Sequence, residues 1–343
     1  MLAAVLFKSK QKLRIEEIKV PEKLEYGQVL VKIFYSSICG AQLNEIDAAK
    51  GKDNFLPHLL GHEGSGKVLK VGKGVKSVKP GDKVVLHWRK GDGIQSETPS
   101  YDLNGKKINA GWVTTFNEKA VVSENRLTKI PYYFDLKIAP LFGCAITTAM
   151  GVVNNDANVK IGQSVIIFGL GGLGLSLAKT LQLVSANPII GVDNKSQKLK
   201  IAKKIGLQHV FLNQKNINRK IRNIIKNDFA DVVIDTTGNT KVIQQSYNLT
   251  ASKGKTILCG VPNHKKNVNI HTLPLHFNKI LKGSHGGDSN PSEDIPRFIK
   301  LMEKKKIKLH DLITHEYDFH EINKAIKVLR SGVAGRILIK ISR

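Results

Sequence analysis

Cysteine is scarce in this chain of 343 residues, and the three that occur, Cys39, Cys144 and Cys259, lie far apart. An odd number of widely separated cysteines argues against a disulfide framework and favours a protein that keeps its thiols reduced, as in the cytoplasm. The spacing also differs from that of a zinc finger, whose ligands lie close together in the sequence. We therefore expect a cytoplasmic protein.

The chain also lacks a long hydrophobic run. No uninterrupted apolar stretch approaches the ~20 residues that a membrane-spanning helix needs. Residues 1–8 are mostly apolar, but this stretch is too short for the apolar core of a signal peptide with its basic flank and cleavage site. We interpret it as a first β-strand, and the sequence predicts no association with a membrane.

Acidic residues are few, because 28 aspartates and glutamates stand against 54 lysines and arginines, for a formal net charge of +26. Such a charge can mark a nucleic-acid-binding protein. The lysines are spread over the whole length, however, and the few aromatic residues do not alternate with them as a base-stacking surface would require. The pattern argues against nucleic-acid binding and leaves open a positive field that attracts an anionic substrate.

The distribution of glycines and apolar runs divides the chain into two parts. Up to about residue 122, short apolar runs separated by frequent glycines are typical of a compact β-rich barrel. Residues 88–112 are polar and are interpreted as a long surface lobe. From about residue 146, strands and helices alternate, which is typical of a parallel, doubly wound sheet. A chain of this length usually forms more than one core, so the sequence predicts an α/β protein of two domains.

The most specific pattern in the second part is a glycine cluster that follows a buried strand. Residues 165–168 are apolar and β-branched or aromatic, and leucines recur with helical spacing after the glycines. Gly169, Gly171 and Gly174 have the spacing of the dinucleotide-binding fingerprint. In that motif the first glycine permits a tight turn, the second admits a pyrophosphate and the third lets the helix pack on the strand. The alternative is a glycine-rich turn in an ordinary β-α-β unit.

A second apolar strand, at residues 188–192, ends in Asp193. This acid lies about 20 residues beyond the glycine cluster, where a carboxylate can accept a hydrogen bond from a ribose 2′-hydroxyl. The same carboxylate would repel a 2′-phosphate. The sequence therefore predicts NAD rather than NADP.

Three residues of the chain are candidate metal ligands. Cys39 follows a strand, His62 lies in a Gly-His-Glu motif and Cys144 lies in a Gly-Cys-Ala motif. Two thiolates and one imidazole would make a three-ligand zinc site with an open fourth position, which is the catalytic arrangement. Sequence distance alone does not bring them together, and isolated cysteines are more often buried apolar residues.

Several motifs in a fixed order resemble those of the zinc-dependent medium-chain alcohol dehydrogenases, nearly from end to end of the chain. In the first part they are Ile38-Cys39-Gly40, Gly61-His62-Glu63-Gly64, Gly81-Asp82-Lys83-Val84 and Gly143-Cys144-Ala145-Ile146-Thr147-Thr148. In the second part they are Gly169-Leu170-Gly171-Gly172-Leu173-Gly174, Leu281-Lys282-Gly283-Ser284 and Leu312-Ile313-Thr314-His315. Asn104-Gly105-Lys106-Lys107 and Thr115-Phe116 resemble the long-lobed branch that includes glutathione-dependent formaldehyde dehydrogenases.

The resemblance implies a fold and an assembly. A GroES-like, β-rich catalytic domain would comprise residues 1–146 and 289–343, and a Rossmann domain at 147–288 would bind NAD. Leu275–Gly283 corresponds to the segment through which the family's Rossmann sheets pair across a two-fold axis. We therefore expect a homodimer or a homotetramer.

The resemblance also assigns catalytic roles. Cys39, His62 and Cys144 would hold the catalytic zinc, and Glu63 would be the acidic neighbour that approaches the metal when the fourth ligand leaves. Zinc would polarise a hydroxyl or carbonyl oxygen, and a hydride would pass between the substrate carbon and NAD.

Further residues are implied at the cofactor and the substrate. Gly172 and Leu173, within the glycine cluster, belong to the NAD-binding turn. Lys198 would reach the adenosine ribose, Arg336 would lie near the pyrophosphate and Thr148 near the nicotinamide. The substrate cleft would be lined by Trp88 and Phe116, of which Trp88 would narrow it.

The chain departs from the family in two places. Relatives with a structural zinc hold it through four closely spaced cysteines, but residues 86–116 contain none, so we predict one zinc per chain. Ala41 occupies the position of a hydroxyl that relays the alcohol proton, Gln42 that of an acid that holds the zinc-bound histidine, and Asn44 that of a histidine further along the relay.

These departures leave the reaction itself open. The leading interpretation is an NAD-dependent oxidoreductase that acts on a polyol, a sugar derivative or another small hydroxylated metabolite. The alternatives are an NADH-dependent carbonyl or alkene reductase on the same fold, and a zinc- and NAD-binding protein without turnover.

Overall fold

The computed structural model describes residues 1–49, 51–226, 228–305 and 307–342, and the chain forms two compact units. Unit 1 comprises Met1–Thr147, Asn290–Ser331 and Arg336–Arg343, and unit 2 comprises Thr148–Ser289 and Gly332–Gly335. The last segment of unit 2 departs from the domain bounds expected from the sequence, which assigned all of 289–343 to the first domain. Its place in unit 2 has a physical reason, since the Ala334 carbonyl accepts a hydrogen bond from the ammonium group of Lys198.

The strands of the described residues are, in chain order, β1 (Leu2–Leu6), β2 (Arg14–Glu17), β3 (Gln28–Ile38), β4 (His58–Leu59), β5 (Glu63–Val71), β6 (Lys83–His87), β7 (Ser100–Leu103), β8 (Lys106–Asn109), β9 (Lys119–Ser123), β10 (Leu127–Lys129), β11 (Val165–Phe168), β12 (Ile189–Asp193), β13 (His209–Leu212), β14 (Ala230–Asp235), β15 (Thr250–Leu258), β16 (Ile280–Gly283), β17 (Ile313–Asp318) and β18 (Arg336–Lys340).

The α-helices are α1 (Gly40–Ile46), α2 (Ala145–Gly151), α3 (Gly172–Leu183), α4 (Ser196–Lys204), α5 (Ile217–Ile225), α6 (Thr240–Leu249), α7 (Pro291–Lys304) and α8 (Ile322–Ser331). A π-helical turn continues α2 over Val152–Asp156. Short 3₁₀ helices lie at Glu124–Arg126, Ala139–Gly143, Leu273–Phe277, Gly286–Asp288, His310–Leu312 and Phe319–Glu321.

Unit 1 is built on two sheets. One has the strand order β2-β1-β4-β8-β7. The other has the order β10-β6-β5-β3-β18-β17, with β9 paired to β3. The long strand β3 buries Val29, Val31 and Ile33 on one face and pairs with β5, β9 and β18, so it is the central strand of that sheet. The β-rich character that the sequence predicts for this part is confirmed.

Most residues of the lobe predicted on the surface at residues 88–112 are exposed or half-buried, but two of its side chains also contribute to the core. Its strands β7 and β8 form a hairpin, and Tyr101 and Ile108 are buried because alternate residues of a strand point to opposite faces. These two side chains pack in one cluster with Ala3, Val5, Ile18 and Leu59.

The first half of the lobe is held by polar side chains that follow β9. The Glu124 carboxylate accepts hydrogen bonds from backbone N–H groups, among them that of Ile94 at 3.0 Å. Burial alone would raise the pKa of Glu124, but these N–H groups hold it below its ordinary value. Arg126 donates to the Trp88 carbonyl and, at 3.0 Å, to Gln95 Oε1. Glu124 and Arg126 thus fix a segment that contains no cysteine to hold a metal.

Unit 2 contains one sheet with the order β13-β12-β11-β14-β15-β16, and every described pairing in it is parallel. Strand β11 coincides with the predicted strand, and all four of its residues are buried, as expected when helices cover both faces. The predicted α/β fold with a doubly wound sheet is confirmed.

The glycine cluster forms a tight turn between β11 and α3. Gly169 has φ +90°, a conformation that favours glycine, and a Cβ atom there would collide with Thr236 Oγ1. A Cβ atom on Gly174 would collide with the carbonyl oxygen of Gly169. Among the described residues, a Cβ atom on Gly171 would meet nothing within 4 Å outside its chain neighbours.

Gly171 and Gly174 both belong to the sequence motif, but only Gly174 lacks the space for a side chain. We expect Gly174→Ala to lower the free energy of unfolding by about 1–3 kcal/mol, because the added methyl group must displace a backbone carbonyl. Gly171→Ala is the matched control and should lower it by less than about 1 kcal/mol, since alanine is only a weaker N-cap than glycine. Urea unfolding followed by circular dichroism measures both. Equal losses for the two variants would contradict this account of the turn.

Candidate metal and cofactor sites

The three predicted metal ligands lie at the ends of secondary structure elements in unit 1. Cys39 follows the last residue of β3 and is the N-cap of α1. His62 directly precedes β5, after Gly61 with φ +91°. Cys144 lies between a 3₁₀ helix and α2. Strand pairing of β3 with β5 brings the first two together, which no local sequence signal indicates.

The ligand atoms of Cys39, His62 and Cys144 lie within 4.8 Å of one another. His62 Nε2 is buried and has no hydrogen-bond partner among the described residues, and its Nδ1 is in contact with Gln42. A buried polar atom without a partner is costly unless a ligand satisfies it. Two sulfur atoms and one imidazole nitrogen are a donor set that suits zinc. The residues present therefore fit a zinc ion.

The two thiols shift each other's pKa in opposite directions. The contact with Cys144 lowers the pKa of Cys39 well below its ordinary value, and the same contact raises the pKa of Cys144. Burial alone would lower the pKa of His62, but the thiol of Cys39 beside it raises it. Of the two thiols, Cys39 therefore loses its proton more readily.

A buried ion pair lies beside this cluster. The Arg336 guanidinium donates to the Glu63 carboxylate and, at 2.6 Å, to Ser37 Oγ. Burial raises the pKa of Glu63, and the charge of Arg336 opposes that rise. Glu63 Oε2 remains without a hydrogen-bond partner among the described residues. Sequence reasoning assigned Arg336 to a pyrophosphate and missed its contact with Glu63. The two residues are 273 positions apart, and only the pairing of β18 with β3 brings them together.

The residues that depart from the family lie on α1. Gln42 is buried, its Oε1 accepts a hydrogen bond from the Cys39 N–H at 3.1 Å, and its Nε2 contacts His62 Nδ1. Ala41 is exposed and Asn44 is half-buried. Gln42, which replaces the acid of the family, therefore still contacts His62.

The two predicted cleft residues differ in exposure. Phe116 is fully buried and lies beside Gly61, where a Cβ atom would meet its ring and backbone. Trp88 is half-buried, and its carbonyl accepts a hydrogen bond from Arg126. The surroundings of Phe116 are those of a core residue, and a role of either side chain at a substrate stays a prediction.

The glycine cluster of unit 2 meets the requirements of a dinucleotide site. Gly171 is the N-cap of α3, and Gly172 and Leu173 are its first residues, whose N–H groups have no partner within the helix. These donors and the positive end of the helix dipole suit a phosphate, and the space around Gly171 leaves room for one. The Asp193 carboxylate accepts hydrogen bonds from the N–H groups of Leu170 at 2.7 Å and Lys195 at 2.9 Å, so it is fixed at the end of β12.

Two further residues that we predict at the cofactor lie in unit 2. Lys198 is buried, which lowers its pKa to about 8 against the opposing charge of Asp193, and its ammonium group donates to the Ala334 carbonyl. Thr148 is buried in α2. The contacts of Lys198 with a ribose and of Thr148 with a nicotinamide stay predictions.

Comparison with known proteins gives concordant matches. The family model described as "Alcohol dehydrogenase GroES-like domain" matches residues 25–132, and that described as "Zinc-binding dehydrogenase" matches residues 169–304. "Alcohol dehydrogenase 1" of Cenchrus americanus is 31% identical over 99% of this chain and 97% of its own length. "S-(hydroxymethyl)glutathione dehydrogenase" of Paracoccus denitrificans is 30% identical over 98% of each chain. The crystal structure of benzyl alcohol dehydrogenase from Acinetobacter calcoaceticus has a TM-score of 0.89 and 25% identity, and the match covers 99% of both chains.

The clustering of the three ligands predicts the effect of removing each of them. Cys39→Ser, His62→Ala and Cys144→Ser should each release zinc, because a three-ligand site that loses one ligand cannot hold the ion tightly. The unmodified protein should carry one zinc per chain, as measured by elemental analysis of gel-filtered protein.

Cys259→Ser is the matched control, since Cys259 lies in unit 2, where burial raises the pKa of its thiol to about 12. It should keep its zinc. If Cys144→Ser kept a full complement of zinc, Cys144 would be a packing residue; two tightly bound ions in the unmodified protein would refute the single site.

Proposed function

This chain belongs to the zinc-dependent medium-chain alcohol dehydrogenase family, and we propose that it transfers a hydride between NAD(H) and a small hydroxylated metabolite such as a polyol or sugar derivative. The observation that carries the proposal is the half-buried cluster of Cys39, His62 and Cys144, whose ligand atoms lie within 4.8 Å of one another. The second support is the glycine turn of unit 2, whose geometry suits a pyrophosphate.

We assign the metal to the three clustered residues. When bound, zinc would supply Lewis-acid polarisation of a substrate hydroxyl or carbonyl oxygen. Cys39 and Cys144 would contribute two negative charges and His62 a neutral nitrogen, so the ligands offset the charge of a divalent ion. Arg336 neutralises Glu63 and thereby keeps a third negative charge from adding to those of the thiolates.

We assign the cofactor to unit 2. NAD would accept the hydride from the substrate carbon or return it. The N–H groups at the start of α3 would bind the pyrophosphate, and Asp193, with Lys198 beside it, would bind the adenosine ribose. Thr148 near the nicotinamide completes the proposal.

The substrate class follows from Ala41. A hydroxyl at this position would carry the alcohol proton away, and the methyl group of Ala41 can neither donate nor accept a hydrogen bond. A polyol brings a neighbouring hydroxyl that can take over this task, whereas a simple alcohol cannot. The net charge of +26 further favours a substrate that carries negative charge.

Turnover of an alcohol panel tests the proposal. The unmodified protein should oxidise small polyols with NAD and act poorly on ethanol and benzyl alcohol. Ala41→Thr should raise the rate on the simple alcohols, because positioned proton transfer contributes ~10²–10⁴-fold. Ala41→Val is the matched control, since valine has the shape of threonine without the hydroxyl, and it should bring no gain. The readout is NADH absorbance across a pH series.

Other results of the turnover experiment would support other functions. Fast ethanol oxidation by the unmodified protein without a gain from threonine would contradict the argument from Ala41. Turnover restricted to carbonyl or alkene reduction with NADH would favour the reductase alternative. Zinc and NAD binding without any turnover would favour a non-catalytic protein.

The preference between cofactors rests on Asp193. Asp193→Asn keeps an oxygen that can accept a hydrogen bond and removes the charge that would repel a 2′-phosphate. We expect the unmodified protein to bind NADH more tightly than NADPH, and the variant to shrink this preference by ~1–3 kcal/mol. Fluorescence titration with both nucleotides measures it. Equal affinities in the unmodified protein would count against the assignment.

We further propose that the chain assembles as a homodimer or homotetramer through β16, which is the edge strand of the unit 2 sheet. Ile280 on this strand is 41% exposed, and Phe277 just before it is 64% exposed. An exposed apolar edge strand is a template for pairing with a second copy.

Sedimentation tests the assembly. The unmodified protein should sediment as a dimer or tetramer at micromolar concentration, and Ile280→Asp should shift it towards the monomer. Ile161→Asp is the control, since Ile161 is 85% exposed in the same unit but lies outside the sheet edge. A monomeric unmodified protein would end this proposal.

We place the protein in the cytoplasm. Within the described residues no helix is long and apolar enough to span a membrane. Cys39, Cys144 and Cys259 are free thiols, and a reducing compartment keeps the first two available as metal ligands.

A further inference from the structure

The side-chain amide of Gln42 lies between the backbone N–H of Cys39 and the Nδ1 atom of His62. Gln42 is the third residue of α1 and is fully buried. Its Oε1 accepts a hydrogen bond from the Cys39 N–H at 3.1 Å, which caps the helix, and its Nε2 faces His62 Nδ1. One small side chain therefore supports both the backbone of one metal ligand and the ring of another.

A metal at the cluster fixes the protonation of His62. Nδ1 is in contact with Gln42, so Nε2, which is buried and has no partner among the described residues, would be the nitrogen that binds the metal. A neutral imidazole that binds a metal through Nε2 carries its proton on Nδ1. Nδ1 is then a hydrogen-bond donor.

The amide cannot serve both neighbours once Nδ1 is a donor. The Cys39 N–H and the His62 Nδ1–H both need an acceptor, and the glutamine offers one oxygen and one NH₂ group. In the structure the oxygen faces Cys39, and the NH₂ group faces Nδ1. An N–H group directed at another N–H group gains no hydrogen bond and leaves both donors buried and unsatisfied.

We propose that Gln42 is a positioning residue that weakens zinc binding, because loading the site turns its amide and deprives the Cys39 N–H of its acceptor. This inference rests on the assignment of zinc to Cys39, His62 and Cys144. A carboxylate in the same place would accept from both donors at once. The chain therefore holds zinc less tightly than the same backbone with glutamate would.

Zinc affinity in variants of the full chain tests the proposal. Gln42→Glu should bind zinc about 10–100-fold more tightly than the unmodified protein, the range over which partners of metal ligands tune affinity. Affinity is measured by competition with a chromophoric chelator. If Gln42 only caps α1, glutamate caps it equally well and the affinity stays unchanged, which would overturn the proposal.

Two matched variants separate the hydrogen bond from the added charge. Gln11→Glu makes the same change on the exposed surface of unit 1 and should leave zinc affinity within about twofold. Asn44→Asp adds a charge two residues further along α1, and should gain far less than Gln42→Glu, because among the described residues the side chain in contact with His62 Nδ1 is that of Gln42. An equal gain from Asn44→Asp would reduce the effect to electrostatic attraction and overturn the role of the amide.

Amide hydrogen exchange at Cys39 supplies a second readout that depends neither on affinity nor on turnover. In the zinc-loaded unmodified protein the Cys39 N–H should exchange faster than in zinc-loaded Gln42→Glu, because only glutamate still accepts from it. Equal protection in the two proteins would contradict the turned amide, even if Gln42→Glu altered the stability of the fold.

The outcomes distinguish this proposal from the proposed function. Zinc binding that Gln42→Glu tightens, without turnover of any substrate, would support the role of Gln42 and count against the enzyme. Turnover with an unchanged affinity in Gln42→Glu would do the reverse. No zinc binding by the unmodified protein would overturn both.

Discussion

Two thiols held within 4.8 Å of each other and of an imidazole are the constraint on which unit 1 depends. The contact between their sulfur atoms lowers the pKa of Cys39 and raises that of Cys144. Beside them, the Arg336 guanidinium neutralises the Glu63 carboxylate. Cys39 and His62 flank β3 and β5, and Glu63 and Arg336 lie on β5 and β18, so the pairing of these strands in one sheet holds the four groups in place. Cys144 joins them from the turn before α2.

In unit 2 the governing constraint is steric rather than electrostatic. The carbonyl oxygen of Gly169 occupies the space that a side chain on Gly174 would need, so strand and helix approach closely enough to direct the first N–H groups of α3 outward. Asp193 completes the arrangement by accepting hydrogen bonds from the backbone on both sides. The geometry of the turn thus suits an anion, and the role of Asp193 in the choice between NAD and NADP stays a proposal.

Local features were predictable from the sequence, and long-range ones were not. The strand before Gly169 and the helix after Gly174 follow from periodicity and glycine spacing, and they agree with the structure. The cluster of Cys39, His62 and Cys144 could be expected only from resemblance, because these residues are brought together by strand pairing. The contact of Arg336 with Glu63 was missed for the same reason. The burial of Tyr101 was missed because a polar, glycine-rich segment gave no sign that it would join the sheet of β1.

X-ray absorption at the zinc edge tests the central claim most directly, because it counts the atoms around the metal without reference to turnover. If Cys39, His62 and Cys144 hold the metal, we expect one class of zinc with two sulfur neighbours at ~2.3 Å and one imidazole nitrogen at ~2.0–2.1 Å, together with a fourth ligand atom that is oxygen or nitrogen. A spectrum with no sulfur neighbour, or with four, would contradict it.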